Sequence, residues 1–296
     1  MSQRAQRTRR CSVRKTLIIT ILLVASRPWV LAQQGEQMLF QLDEKLNGGV
    51  RTVRVYTSGG RVGAARRLSL EEFYDHQGRK TEEVRYGGDG KVAARKVLSY
   101  DAVGRLAEAA EYAAGGALIY KKRYVHDGRM VEEVMYHADG SPRPGRTVNS
   151  FDEEGRLVSV ETVGGEPPSL KVIAAYRDGG KTVEVTICAG GVATGMIVPG
   201  EKGAVVLSDA AAAPMKGVGP CVGGYLTSRT VFMLDERGLI KEAATYTHDN
   251  NLISRESQAR EFDARGNWVK ETRSRWRAET DTFEPFEVRQ RVITYY

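Results

Sequence analysis

Four histidines, His76, His126, His137 and His248, each stand close to an aspartate: Asp75, Asp127, Asp139 and Asp249. Such neighbourhoods are raw material for metal ligation or general acid–base work. All four fall in or beside turn phrases, where an aspartate caps backbone amides and a histidine faces water. The adjacent carboxylates Glu71-Glu72, Glu82-Glu83, Glu132-Glu133 and Glu153-Glu154 raise glycoside hydrolysis, which uses two carboxyl groups about 5–9 Å apart. Successive strand residues point to opposite faces, so each pair is expected to divide between the two sides of a sheet. HExxH, calcium-loop, phosphate-loop and Gly-x-Ser-x-Gly patterns are absent from the sequence. No catalytic, cofactor-binding or metal-binding residue is assigned, no cofactor is expected, and enzymatic activity is left open. Trp276, within Thr272-Arg273-Ser274-Arg275-Trp276-Arg277, reads as part of a solvated edge strand with arginine gatekeepers. Stacking on a sugar or an anionic polymer is its functional alternative.

The elements that hold these residues follow from repetition. Tyr74-Asp75-His76-Gln77-Gly78-Arg79, Tyr100-Asp101-Ala102-Val103-Gly104-Arg105 and Phe151-Asp152-Glu153-Glu154-Gly155-Arg156 are copies of one phrase. Looser copies start at Tyr86, Tyr112, Tyr124 and Tyr136, and later ones at Leu234, Tyr246 and Phe262. The aspartate suits a type I turn, and the glycine four places after the aromatic suits the left-handed position of a bulged hairpin. Between turns the chain alternates: Leu106, Glu108, Ala110 and Tyr112 are expected on one face, as are Met130, Glu132, Val134 and Tyr136. The expected fold is all-β: consecutive antiparallel β-hairpin repeats forming a twisted meandering sheet. A short helix over Glu36 to Leu46 is a candidate cover for its open end.

The phrase Tyr-Asp-x-x-Gly-Arg resembles the YD repeat of the RHS-like proteins, in its full form at Tyr100 to Leu106. The stretch Phe262 to Lys270, followed by Arg289 to Tyr296, resembles the terminal block of small exported bacterial members. The resemblance covers roughly residues 70–165 and 230–296. It implies a β-hairpin fold related to spiralling shells, at an exported or cell-surface location, here without a toxin domain.

Composition sets the address. The 296 residues carry a formal charge of +7, but Arg4, Arg7, Arg9, Arg10, Arg14, Lys15 and Arg27 account for it. Removing these seven from the 44 basic residues leaves 37, equal to the 37 acidic ones, so no nucleic-acid partner is expected. The apolar run Thr16 to Ala25 is half the length a bilayer requires. Val30-Leu31-Ala32 offers small residues at −3 and −1, so residues 1–32 read as a signal peptide cleaved before Gln33. No stable transmembrane segment is then expected, and the location reads as the periplasm or the extracellular surface of a bacterium. Cys188 and Cys221 are expected to pair as a disulfide, two separate buried thiols being the alternative.

The expected organisation is a cap with first strands (33–70), a repeat block (71–178), a Gly/Ala-rich disulfide-stapled insertion (179–230) and a C-terminal repeat block (231–296). The function this implies is a non-enzymatic structural or binding module at the bacterial envelope, with a glycan or an envelope protein as partner. An exported hydrolase acting on envelope or extracellular polysaccharide is the alternative.

Overall fold

The computed structural model describes residues 46–61, 63–164, 170–190, 197–200, 203–206, 221 and 224–296. The expected leader, the candidate helix except Leu46, and nearly half of the Gly/Ala-rich segment 179–230 lie outside these residues. The strands are β1 (Val50–Gly59), β2 (Arg67–Tyr74), β3 (Lys80–Tyr86), β4 (Val92–Tyr100), β5 (Leu106–Ala113) and β6 (Leu118–Asp127). There follow β7 (Met130–His137), β8 (Arg146–Phe151), β9 (Leu157–Val163), β10 (Leu170–Arg177), β11 (Thr182–Gly190), β12 (Ile197–Gly200) and β13 (Gly203–Val206). The last are β14 (Gly224–Leu234), β15 (Ile240–Thr247), β16 (Leu252–Phe262), β17 (Trp268–Arg277) and β18 (Thr282–Tyr295).

Each strand of the main sheet pairs antiparallel with its chain neighbours, β11 passing directly to β14, while β12 and β13 form a separate two-stranded sheet. The first and last strands then pair with each other, Val53 opposite Ile293 and Tyr56 opposite Gln290. The result is a closed barrel of 16 strands. This overturns the expected open meandering sheet of hairpin repeats, and with it the shell-like architecture implied by the RHS resemblance. The hairpins are staves of a barrel, and closure leaves no free edge whose backbone groups need covering. Trp276 accordingly sits in a strand paired on both sides, β16 and β18, and not at an edge.

Residues opposite one another across a ladder share a face. One row runs Val53, Glu72, Glu83, Lys96, Glu111, Tyr120, His137. Its face is the inner one, because on the same face Val53, Val183, Val185 and Phe232 are at most 1% exposed. The adjacent row, Arg54, Glu71, Val84, Arg95, Tyr112, Leu118, faces outward. Inside, β9–β11 and β14–β15 supply an apolar sector built on Val160, Val172, Ala174, Val183, Val185, Ile187 and Phe232. Val50, Val53 and Val55 form a second apolar cluster, at the closing seam.

The two ends of the barrel differ. One, the turn end, carries both chain ends of the barrel and only short connections, most of them tight turns opened by an aspartate, whereas the opposite end mixes tight turns after β3, β5 and β15 with longer connections. Asp101 Oδ1 accepts from the backbone amides of Val103 and Arg105 at 3.0 and 2.8 Å, and Gly104 closes the turn at φ +85°. Four of the turns also grip a neighbouring hairpin. Arg79 stacks on Tyr100, Arg156 on Tyr176, Arg237 on Phe262 and Arg265 on Tyr295, at 4.9, 4.6, 3.9 and 3.7 Å. The opposite, loop end carries longer connections, including 138–145 and the chain between β11 and β14. Cys188 in β11 and Cys221 form the disulfide there, with Cα atoms 5.5 Å apart.

Candidate functional site

The sequence-level candidates are dispersed by the barrel. Glu71 faces out to Arg54 at 2.7 Å, whereas Glu72 faces in to Lys80. Glu82 faces out to Arg95 at 2.5 Å, and Glu83 in to Arg85 at 3.4 Å. Glu132 pairs with Arg146 outside and Glu133 with Lys122 inside. Glu153 and Glu154 occupy a turn, each beside an arginine. The three strand pairs are thus divided between the faces, and every one of the eight carboxylates lies beside a cation. His76 stacks on Tyr296, His126 Nε2 lies 2.8 Å from the Leu106 carbonyl oxygen, and His248 lies 2.8 Å from Asp249. No group of three or more metal-ligating side chains occurs among the described residues. Neither the envelope-module reading nor its hydrolase alternative survives as derived, since both were built on an open repeat sheet.

The inner wall is charged on either side of the apolar sector. On β16–β18, Arg273 and Arg275 approach Glu256 at 3.2 and 3.0 Å, and Arg260 approaches Glu271 at 2.6 Å. On β3–β7, Arg85 meets Glu111 at 2.8 Å and Lys122 meets Glu133 at 2.7 Å. Burial of such charges is tolerable only because each is paired.

The outer wall carries a series of cross-strand ion pairs: Arg54–Glu71, Arg95–Glu82, Lys121–Glu108, Arg146–Glu132, Lys171–Glu161, Arg229–Glu184, Arg255–Glu242 and Lys270–Glu261. Toward the loop end aromatic rings join them, with Tyr112 opposite Arg95, Tyr136 opposite Lys121 and Tyr246 opposite Arg229. Directly opposed outward pairs there are Tyr56 with Leu68, Tyr86 with Val92, Tyr112 with Leu118, Tyr136 with Pro142, Tyr246 with Leu252 and Trp276 with Phe283. Six hairpins therefore present an aromatic ring beside an apolar or second aromatic neighbour at one height. Their polar tips remain engaged: the Tyr86 hydroxyl donates to Glu71 at 3.0 Å and Trp276 Nε1 donates to Asp281 at 3.0 Å. Arg66, Arg123, Arg229 and Arg255 lie over Tyr56, Tyr136, Tyr246 and Phe283 at 5.2, 5.1, 4.8 and 5.2 Å. The expected alternation set Tyr112 on one face with Leu106, and Trp276 was expected in a solvated edge strand; neither expectation contains the girdle. Its only trace in the sequence is the spacing that ends alternate strands in tyrosine.

This geometry also corrects the expected address. The periplasmic or cell-surface location, with no membrane-crossing element, took the lack of a long apolar helix as its warrant. No helix of the described residues is long and apolar enough to cross a membrane, which says nothing of a β-barrel. Closed barrels are one of the two architectures that cross bilayers. A closed antiparallel barrel with an even number of strands, some connections at one end being longer than any at the other, is the plan of outer-membrane barrels. That plan points to the outer membrane.

No family model and no curated protein matches the chain. Among solved structures, a porin-like protein from Bacteroides uniformis ATCC 8492 is 9% identical, with 84% of this chain and 98% of that one covered and a TM-score of 0.46. A protein of unknown function from Bacteroides fragilis NCTC 9343 is 11% identical over 70% of this chain and 94% of its own, at a TM-score of 0.21. The TcdB2-TccC3-Cdc42 structure is 9% identical over 86% of this chain and 21% of its own, at 0.12. At these scores the likenesses carry no weight, and the barrel stands on the chain's own strand pairing.

Proposed function

We propose that this chain is an outer-membrane barrel seated in the bilayer interface by the aromatic girdle at its loop end. The girdle is the observation that carries the reading. Tyrosine and tryptophan favour the headgroup boundary, where the ring meets apolar matter and the polar tip stays wet. The cross-strand ion pairs limit the depth of insertion. An arginine or lysine on a lipid-facing barrel wall costs about 2–4 kcal/mol at the bilayer midplane, so a wall lined with such pairs stays out of the acyl core. The barrel therefore stands on the membrane by one rim, with its middle in water. Residues 1–32 serve in this reading as the export leader.

The test is flotation of the protein beginning at Gln33 with phospholipid vesicles. The wild type is expected to rise with the vesicles, and Tyr86→Ser/Tyr112→Ser/Tyr246→Ser to remain below. Wild-type protein that stays at the bottom of the gradient would defeat the reading.

A further inference from the structure

The aromatic girdle is an arc and not a ring. Its hairpins are consecutive around the barrel, from β15 and β16 through the closing seam to β7 and β8. The two remaining loop-end junctions, of β9 with β10 and of β11 with β14, are neighbours and interrupt it. Neither β9 nor β11 contains an aromatic residue, and Tyr176 of β10 stands at the turn end, where its hydroxyl donates to the Leu157 carbonyl oxygen. Where β11 meets β14, Cys188 opposes Leu226 and Gly190 opposes Gly224.

The chain brings apolar residues of its own to this gap. β12 and β13 belong to the connection between β11 and β14, which leaves and rejoins the wall here because Gly190 and Gly224 are partners. The Cys188–Cys221 disulfide ties the returning chain to β11 at the same place. Seven residue steps separate Gly190 from Ile197, so the hairpin begins within about 25 Å of the loop end. Ile197 pairs with Val206, Val198 with Val205, Pro199 with Ala204 and Gly200 with Gly203, so no paired position is polar. Among the described residues no further strand joins these two. A two-stranded ribbon is marginal by itself in water and needs an apolar surface to lie against.

We propose that the β12–β13 hairpin lies in the boundary between phospholipid headgroups and acyl chains, completing the membrane contact where the arc is interrupted. The inference rests on the girdle reading, which sets the loop end against the bilayer. Continuity with the arc selects lipid as the partner, since the hairpin is tethered at the same end of the barrel and in the missing sector. Glu201 and Lys202, between the two strands, hold it along the boundary, because charged residues are costly in the acyl core. Interfacial binding grows with the apolar area buried, so the hairpin adds to the affinity that the rings supply.

The experiment uses the protein beginning at Gln33 with Trp276→Phe, which leaves Trp268 at the turn end as its emitter, and the same protein carrying Val205→Trp. Both are mixed with phosphatidylcholine vesicles whose acyl chains are brominated. The added tryptophan is expected to be quenched, and the parent emission to stay constant. Val198→Ser/Val205→Ser should weaken vesicle binding by about tenfold, whereas Val198→Leu/Val205→Leu should bind as wild type does. Protein that floats with an unquenched Val205→Trp emission, or a serine variant that binds undiminished, overturns the hairpin and leaves the girdle standing. Conversely, Tyr86→Ser/Tyr112→Ser/Tyr246→Ser protein that still floats, with the added tryptophan quenched, overturns the girdle and supports the hairpin. Protein that floats in neither form overturns both.

Discussion

His76 and Tyr296 stack with ring centroids 3.9 Å apart, and the Tyr296 hydroxyl donates to the Tyr74 carbonyl oxygen. The contact joins the end of the chain to the first Asp-Gly turn, across the seam where β1 meets β18. Beside it, Arg265 lies over Tyr295 at 3.7 Å, and the Tyr295 hydroxyl donates to Asp263 at 2.7 Å. The seam is therefore locked at the turn end by aromatic and charge-assisted contacts on top of its ladder.

Deleting Tyr296 or changing His76 to Ala should lower stability by about 0.5–1.5 kcal/mol, the range for an aromatic pair. Hydrogen exchange should rise first at β1 and β18 amides and leave β5 and β10 unchanged. Uniform loss of protection around the barrel would contradict the seam assignment.

Gly104 tests the turns directly. Its φ is +85°, and an added Cβ would meet nothing closer than Arg79 Nη1 at 3.8 Å, so the penalty is one of backbone conformation and not of space. Gly104→Ala should cost about 1–2 kcal/mol in urea melts, and Gly104→Val more. Val103 beside it is 74% exposed, and Val103→Ser should shift stability by no more than about 0.5 kcal/mol. A stabilised Gly104→Ala protein would remove the left-handed turn.

What was legible in the sequence is what is local. Turn glycines at 78, 104, 155, 238 and 266 all take positive φ, and the disulfide joins Cys188 and Cys221, the two cysteines expected to pair. Closure was not legible, because Val53 and Ile293 pair across almost the whole chain and neither carries any mark of the other. The girdle was hidden by something smaller. The hairpin of β4 and β5 shifts register by one residue, Ser99 opposing Glu108 but Tyr100 opposing Leu106. One bulge exchanges the faces of a strand. Leu106 and Tyr112, expected on one face, therefore part: the first faces in beside Tyr100 and the second faces out beside Leu118. Strict alternation counted through a bulge turns an outward ring into a core residue.

Acid should loosen the turn end. The Arg105 backbone amide, and more weakly its guanidinium, hold the Asp101 carboxyl below the usual aspartate range, against an opposing desolvation. At Asp75, Asp152 and Asp263 desolvation is the larger single influence and raises the pKa, yet hydrogen bonds together outweigh it and the net direction is again downward. A carboxyl lowered by folding contributes its stability in full above the ordinary aspartate pKa of about 3.9, and loses it as pH falls through the lower native value. Asp101→Asn should thus be less stable than wild type near pH 7, with the gap closing below about pH 4. A gap of constant size across that window would show that the carboxylate charge contributes nothing.

The last prediction separates the inner wall from the outer. Arg260 and Glu271 pair inside at 2.6 Å with side chains 9% and 5% exposed, and Arg260 also donates to the Ile240 carbonyl oxygen at 2.5 Å. Lys270 and Glu261, neighbours of that pair on the same two strands, meet outside at 2.6 Å and are largely in water. Removing one member of a buried pair strands the other without solvent, which costs about 3–5 kcal/mol, whereas an exposed pair is worth about 0–1 kcal/mol. Arg260→Ala should therefore be severely destabilising and Lys270→Ala nearly silent. Arg289 stands 3.7 Å from Glu271 and would relieve only part of the loss. Replacing both buried partners, as Arg260→Met/Glu271→Leu, should recover most of the stability, because no orphan charge remains. Urea melts of the three variants against wild type give the comparison. Equal costs for the inner and outer single changes would mean that the face holding Arg260 and Glu271 is not the interior.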